Sequence, residues 1–303
     1  MGLQRRTFLR RLAQGMGAMA IASSSKPLLT ACANQANSPS STAKTGRVSS
    51  NGLLNPGTLA WGAEQGPPYV FFDPAKPDRL LGFEAEIATA IAQLMGVQAS
   101  LILGLYDQLP VMLAANQIDF ILNGWEVTAE RQKTQLFSQP YYRYGQQVVV
   151  RANDPRFQAY TANSEISLEI LTGMTVGTGL GYKAQAILEE TPTLKVRLYG
   201  GTDYFNYLES GAVDALLLDI PIVSYEILGQ GIGANKNSAL RVIGKPLFLA
   251  DYVMAFNGDS PKGKILKGEV DQALSLLKKD GTLRRIYERW GLWNEAQAEI
   301  GIL

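Results

Sequence analysis

The sequence predicts an α/β protein of two lobes, each built on a parallel-type sheet flanked by helices, with the chain crossing between them twice. Three observations carry this expectation. Strand-like and helix-like segments alternate through both halves of the chain. The halves also echo each other: Leu113-Ala-Ala-Asn-Gln-Ile-Asp119 is matched by Leu208-Glu-Ser-Gly-Ala-Val-Asp214, each a helix end, a polar turn and a new strand. Five residues beyond each aspartate, at the expected carboxyl end of its strand, stand Gly124 and Asp219. Ligands of open α/β sheets bind beyond such ends.

The first 32 residues read as an address. Arg5, Arg6, Arg10 and Arg11 precede an apolar run, Leu12 to Ala22, that is too short to span a bilayer. Gln4-Arg5-Arg6-Thr7-Phe8-Leu9 resembles the twin-arginine export signal. Leu29-Thr30-Ala31-Cys32 resembles a lipobox, which makes Cys32, the single cysteine, the expected lipidation site. The alternative is an ordinary cleavage site followed by an incidental cysteine. Segment 33–52 is Ser/Asn-rich without apolar periodicity and reads as a flexible tether. The expected location is therefore periplasmic or extracytoplasmic, lipid-anchored to the membrane.

Lobe 1 is expected over 53–150 and 251–303. Leu59–Gly62 reads as a buried strand. Glu84–Met95 places Ile87, Ile91, Leu94 and Met95 at helical spacing and stops at Gly96. Gln98–Leu103 is a strand, Tyr106–Asn116 a helix and Ile118–Leu122 a strand. Lobe 2, 151–250, repeats the scheme with strand Thr175–Thr178, helix Tyr182–Glu190, strand Lys195–Tyr199, helix Asp203–Ser210 and strand Val213–Leu218. The joints fall at Val148–Asn153 and Phe248–Val253. Ile265–Trp290 forms two helices parted at Gly281 that return to lobe 1.

Composition narrows the chemistry. The 303 residues contain no histidine and one cysteine, so His-dependent triads, His-ligated metals, cysteine clusters and intrachain disulfides are closed. No cofactor and no metal is expected. The net charge is +1, and 1–32 hold five basic and no acidic residues, which leaves the remainder at −4. A nucleic-acid binder would show a basic surplus.

Five stretches in register resemble the family 3 bacterial extracellular solute-binding proteins, the polar amino-acid receptors of ABC importers. They are Leu81-Gly-Phe-Glu84, Ile118-Asp119…Thr128-Ala-Glu-Arg131, Phe137-Ser-Gln-Pro-Tyr-Tyr142, Val213-Asp-Ala215…Asp219 and Asp280-Gly-Thr-Leu283…Trp290. The resemblance runs from about Leu59 to Gly291. It implies the type II periplasmic-binding-protein fold with two hinges, a small polar solute such as an amino acid, a membrane permease as partner, and a monomer.

It also implies roles. Arg131 would grip a solute carboxylate with its planar fork, and Asp219 would take an ammonium. Tyr106 and Tyr182 would line the pocket. Gly124 would offer a carbonyl and Gly181 a backbone N–H at a helix start. Read from the residues alone, Arg131 is equally a surface arginine paired with Glu130 or Glu126. Asp219 is also a helix cap ahead of Pro221, and Tyr106 ordinary core. The sequence departs from the family at Glu126, where Thr or Ser is usual, at Ala63, where Asp is common and Glu64 follows, and after Gly181, where Ser or Thr is missing. Glu64, Glu126 and Asp251 favour a polar or basic solute. The reading from another class is an enzyme of the cyclohexadienyl or arogenate dehydratase type, with Glu126 or Glu64 as general acid. No catalytic pair emerges, so binding without catalysis is the expectation. A sensor ectodomain is disfavoured because no spanning helix follows.

Overall fold

The computed structural model describes residues 47–201 and 203–303. The signal, Cys32 and most of the expected tether lie outside the described residues.

Apolar strands of two to six residues start the first sheet. In chain order lobe 1 contains β1 (Thr58–Ala63), the hairpin β2 (Phe71–Asp73) and β3 (Lys76–Leu81), α1 (Phe83–Met95), β4 (Gln98–Leu103), α2 (Leu109–Ala114), β5 (Phe120–Ile121) and β6 (Gln135–Phe137). β7 (Tyr142–Arg151) leads into lobe 2. There follow β8 (Thr175–Gly179), α3 (Lys183–Glu189), β9 (Lys195–Tyr199), α4 (Tyr204–Glu209), β10 (Ala215–Asp219), α5 (Ile220–Glu226) and β11 (Leu240–Tyr252). The chain returns through β12 (Ala255–Asn257) to α6 (Pro261–Lys279), α7 (Thr282–Arg289) and α8 (Ala296–Glu299).

The first sheet has the order β4-β1-β5-β12-β6 and the second β11-β7-β10-β8-β9. β4, β1 and β5 run parallel, as do β10, β8 and β9. β12, β6, β7 and β11, which carry the chain out of one lobe and back, are antiparallel, so each sheet is mixed.

The internal echo is geometric as well as sequential. Asp119 donates its N–H to the Ala60 carbonyl (2.7 Å), and its carboxylate accepts the Ala60 N–H (2.7 Å). Asp214 clasps Thr175 in the same two ways, each at 2.8 Å. The turn before each clasp needs a left-handed residue, supplied by Asn116 (φ 53°) in one lobe and Gly211 (φ 81°) in the other. Asparagine and glycine are the residues that enter this region at least cost.

Two boundaries differ from the sequence reading. β7 pairs with β10 from Gln146 onward (Gln146 opposite Asp219), so the chain has joined the second sheet before Val148. The first crossing therefore precedes the expected Val148–Asn153. The run Val148–Val150 is apolar because it lies inside lobe 2, where a joint would be partly wet. The two crossings are paired with each other, Tyr142 opposite Tyr252 and Tyr144 opposite Ala250. β11 shifts register around Phe248, a non-glycine residue at φ 51°.

The tether expected over 33–52 is also shorter at its far end. Val48 is buried and donates its N–H to the Leu94 carbonyl (2.9 Å). The buried carboxylate of Glu269 on α6 accepts from Ser49 Oγ (2.7 Å), Asn51 N (2.8 Å) and Gly52 N (3.0 Å). A single apolar residue in a polar segment carries no periodicity, so the pattern could not show it. Glu269→Ala should cost about 2–4 kcal/mol, since it strands backbone donors that a charged acceptor now satisfies. Thermal unfolding should report a midpoint several degrees lower, with earlier proteolysis near residue 50; an unchanged melt would refute the anchoring role.

Candidate functional site

Each lobe presents the end of an apolar strand to the space between them. Beyond β5 the chain turns at Gly124, where φ is 57° and an added Cβ would lie 3.0 Å from the Tyr69 ring. Its N–H is donated to Glu84 Oε1 (2.7 Å), a fully buried carboxylate that also accepts from the Tyr141 hydroxyl. Burial pushes the Glu84 carboxyl up to about 7, against the opposing pull of those two hydrogen bonds.

Glu126, two residues on, is 4 % exposed. Its Oε1 accepts from Tyr144 on β7 (2.8 Å), and its Oε2 from Tyr106 (3.3 Å) and Arg131 Nη1 (3.2 Å). The same Nη1 also reaches the Glu126 carbonyl (3.0 Å), and Nη2 lies 3.5 Å from the Tyr106 hydroxyl. The guanidinium face rests 3.5 Å from the centre of the Trp125 ring. Burial raises the Glu126 carboxyl and Arg131 opposes that rise.

At the end of β10, Asp219 sits at the N-terminal edge of α5, but its side chain makes no capping bond. It accepts instead from Gln146 Nε2 (2.7 Å) and from the Tyr252 hydroxyl, which is 2.9 Å from the Tyr69 hydroxyl. Burial, and then the negative charge of Glu126, raise the Asp219 carboxyl above the ordinary range.

Between these strand ends lies a partly open cavity, about 640 Å³ with the open solvent in its mouth included. Glu64, Tyr69, Tyr106, Asn123, Gly124 and Glu126 line it from lobe 1, and Tyr182, Tyr204, Asp219, Ile222 and Glu226 from lobe 2. Across its rim Tyr106 meets Tyr182 edge-on at 5.8 Å.

Residues 59–292 match the model of the bacterial extracellular solute-binding proteins, family 3. The chain belongs to that family. This family 3 protein is 30 % identical over 247 residues to the L-cystine-binding protein TcyJ of Escherichia coli K12, covering 79 % of this chain and 86 % of TcyJ. It is 24 % identical to the arginine-binding periplasmic protein of Mannheimia haemolytica, over 74 % of this chain and 86 % of that one. Among solved structures it resembles an ancestral arginine-binding protein bound to arginine, with a TM-score of 0.64 and 30 % identity over 77 % of this chain and 98 % of the other. It also resembles the ancestral amino acid-binding protein AncCDT-1, a precursor of cyclohexadienyl dehydratase, with a TM-score of 0.64 and 26 % identity over 77 % and 95 %. The fold is thus the two-lobe type II form of a family of binding proteins. No described helix is long and apolar enough to cross a membrane.

Against this family frame, six of the eight residues read from the sequence line the cavity: Glu64, Tyr106, Gly124, Glu126, Tyr182 and Asp219. Arg131 and Gly181 do not. Arg131 is paired with Glu126, one of the alternatives that the residues alone left open. The Gly181 N–H, expected to face a solute, is donated to Gln185 Oε1 (2.8 Å), and a Cβ added to the glycine would lie 3.5 Å from the Tyr106 ring. Asp251 is remote from the cavity and held by Arg143 (2.8 Å). Tyr69, Asn123, Tyr204 and Glu226 were missed. Asn123 directly precedes Gly124 beyond β5, whereas Tyr69 comes from a loop and Tyr204 and Glu226 from helices that the strand-end rule does not reach, Glu226 at the far end of α5 from Asp219.

With no histidine in the chain, side-chain titration between about pH 5 and 8 falls to the raised carboxyls. A carboxyl raised on folding stabilises below its unfolded value and loses that contribution as pH rises through its folded value. Asp154, lowered to about 2 chiefly by Arg156, acts only in more acid solution. The protein without solute should therefore unfold at lower urea at about pH 8 than at about pH 5. Glu84→Gln should flatten the slope, and a midpoint that rises with pH would contradict the buried-acid account.

Proposed function

We propose that this chain is the extracytoplasmic solute-binding component of an ABC importer, closing two lobes on a small amino-bearing solute of amino-acid size. The observation that carries this reading is Asp219. It is a buried carboxylate at a strand end, opposite the lobe 1 strand end that carries Gly124 and Glu126. Its relatives in Escherichia coli and Mannheimia haemolytica, an L-cystine-binding and an arginine-binding protein, agree with an amino-bearing solute. In the proposed mechanism lobe 1 receives the solute first. Asp219 and Tyr182 from lobe 2 then add contacts available only on closure, which shifts the population to the closed form.

The remaining parts of the reading rest on the sequence. Residues 1–32 would export the chain by the twin-arginine route, Cys32 would carry the lipid, and the closed monomer would dock on a membrane permease. Binding rather than dehydration is proposed because Glu126, engaged by Arg131 and two phenols, has its oxygens committed within the protein. Incubation with prephenate or arogenate should leave both unchanged.

A thermal-shift screen of the twenty amino acids and small polyamines should give at least one ligand. Asp219→Asn should weaken it by roughly 10- to 100-fold, the worth of one charged hydrogen bond in a dry site. Small-angle scattering should show compaction at saturation. Undiminished affinity in the variant, or no compaction, would remove the hinged-clamp reading.

A further inference from the structure

We infer that the solute is a small organic cation, an amine or guanidinium that carries no carboxylate, because Glu126 already supplies the carboxylate that Arg131 would otherwise take. The inference rests on the solute-binding reading above and names its substrate class.

A solute carboxylate in a dry cleft needs a cation or several N–H donors to replace its water. Among the described residues lining this cavity there is no lysine or arginine, while four are acidic: Glu64, Glu126, Asp219 and Glu226. Arg131, which is not among the lining residues, gives Nη1 to both the carbonyl and the carboxylate of Glu126, and its face to Trp125. Three backbone donors nearby are likewise committed. Gly124 N–H goes to Glu84, Tyr106 N–H to Glu64 Oε2 (3.2 Å) and Gly181 N–H to Gln185. A carboxylate that reached Arg131 would lie beside the buried carboxylate of Glu126, and two like charges in one low-dielectric site oppose each other. Glu126 cannot simply swing away, since it is also the acceptor for the Tyr144 and Tyr106 hydroxyls.

A cation meets the opposite conditions. Asp219, Glu64 and Glu226 offer it negative charge. Tyr69, Tyr106, Tyr182 and Tyr204 line the same cavity, and the attraction of an ammonium or guanidinium to aromatic quadrupoles strengthens when water is excluded. The Tyr204 hydroxyl, close to Tyr182 but without a partner in hydrogen-bonding geometry among the described residues, is a further acceptor.

Matched pairs that differ only by a carboxylate test this: arginine against agmatine and lysine against cadaverine, with choline as a cation that cannot hydrogen-bond through N–H. Calorimetry on the protein purified without its first 32 residues should show at least one of the three carboxylate-free cations binding. Any bound cation that has an amino-acid partner should bind at least about tenfold more tightly than that partner. Glu126→Thr should narrow or reverse that ratio by freeing Arg131. Should the variant fail to fold, the wild-type ratios decide alone. Arginine or lysine binding as tightly as its decarboxylated partner would overturn the inference while leaving the solute-binding reading standing. So would a neutral or acidic amino acid that binds when none of the three cations does. No response to any cation or amino acid would remove the solute-binding reading, and the inference with it.

Discussion

A carboxylate buried against a guanidinium sets the character of this site. Glu126 is held by Arg131, Tyr106 and Tyr144, and breaking such a pair from one side costs about 3–5 kcal/mol because the other charge stays behind without a partner. That cost fixes the loop after β5, and with it Gly124 and the Tyr106 wall. It also holds Arg131 on Glu126, and the described residues that line the cavity include acids and tyrosines but no lysine or arginine. The charge of Glu126 is felt by Asp219 from the other lobe, where it adds to burial in raising that carboxyl.

The crossing strands do more than connect the lobes. Tyr144 on β7 and Tyr252 on β11 stack at 4.0 Å and 18°, and their hydroxyls serve Glu126 and Asp219 respectively. Gln146, directly opposite Asp219 in register, holds its other oxygen. Tyr252 in turn meets Tyr69 of lobe 1. Glu126 and Asp219 are thus tied to the segments that must bend if the lobes move, and neutralising Asp219 with a cation would be felt by the crossing strands without any intermediate.

Legibility in the sequence followed the range of each interaction. The strand ends at Gly124 and Asp219 could be read because the segment that precedes each, from a helix end through a left-handed turn to Asp119 or Asp214, is local and is repeated with the same spacing. Helix α1 could be read from Ile87, Ile91 and Gly96. The helix expected at Tyr106 starts only at Leu109 in the structure, after a 3₁₀ turn, because Pro110 fits the first turn of a helix better than its interior. The Glu269 anchor spans more than two hundred residues and leaves no pattern. The partner of Arg131 was present among the alternatives, but spacing cannot decide whether a guanidinium faces a solute or its own neighbour. Asp251 illustrates the same limit, since Arg143 claims it across the paired crossing strands.

The most direct measurement is a crystal structure of the protein grown with agmatine. The account predicts the guanidinium of Arg131 still on Glu126 and stacked on Trp125, with a cationic end of agmatine on Asp219. Arg131 released from Glu126, or agmatine bound away from Asp219, would contradict it.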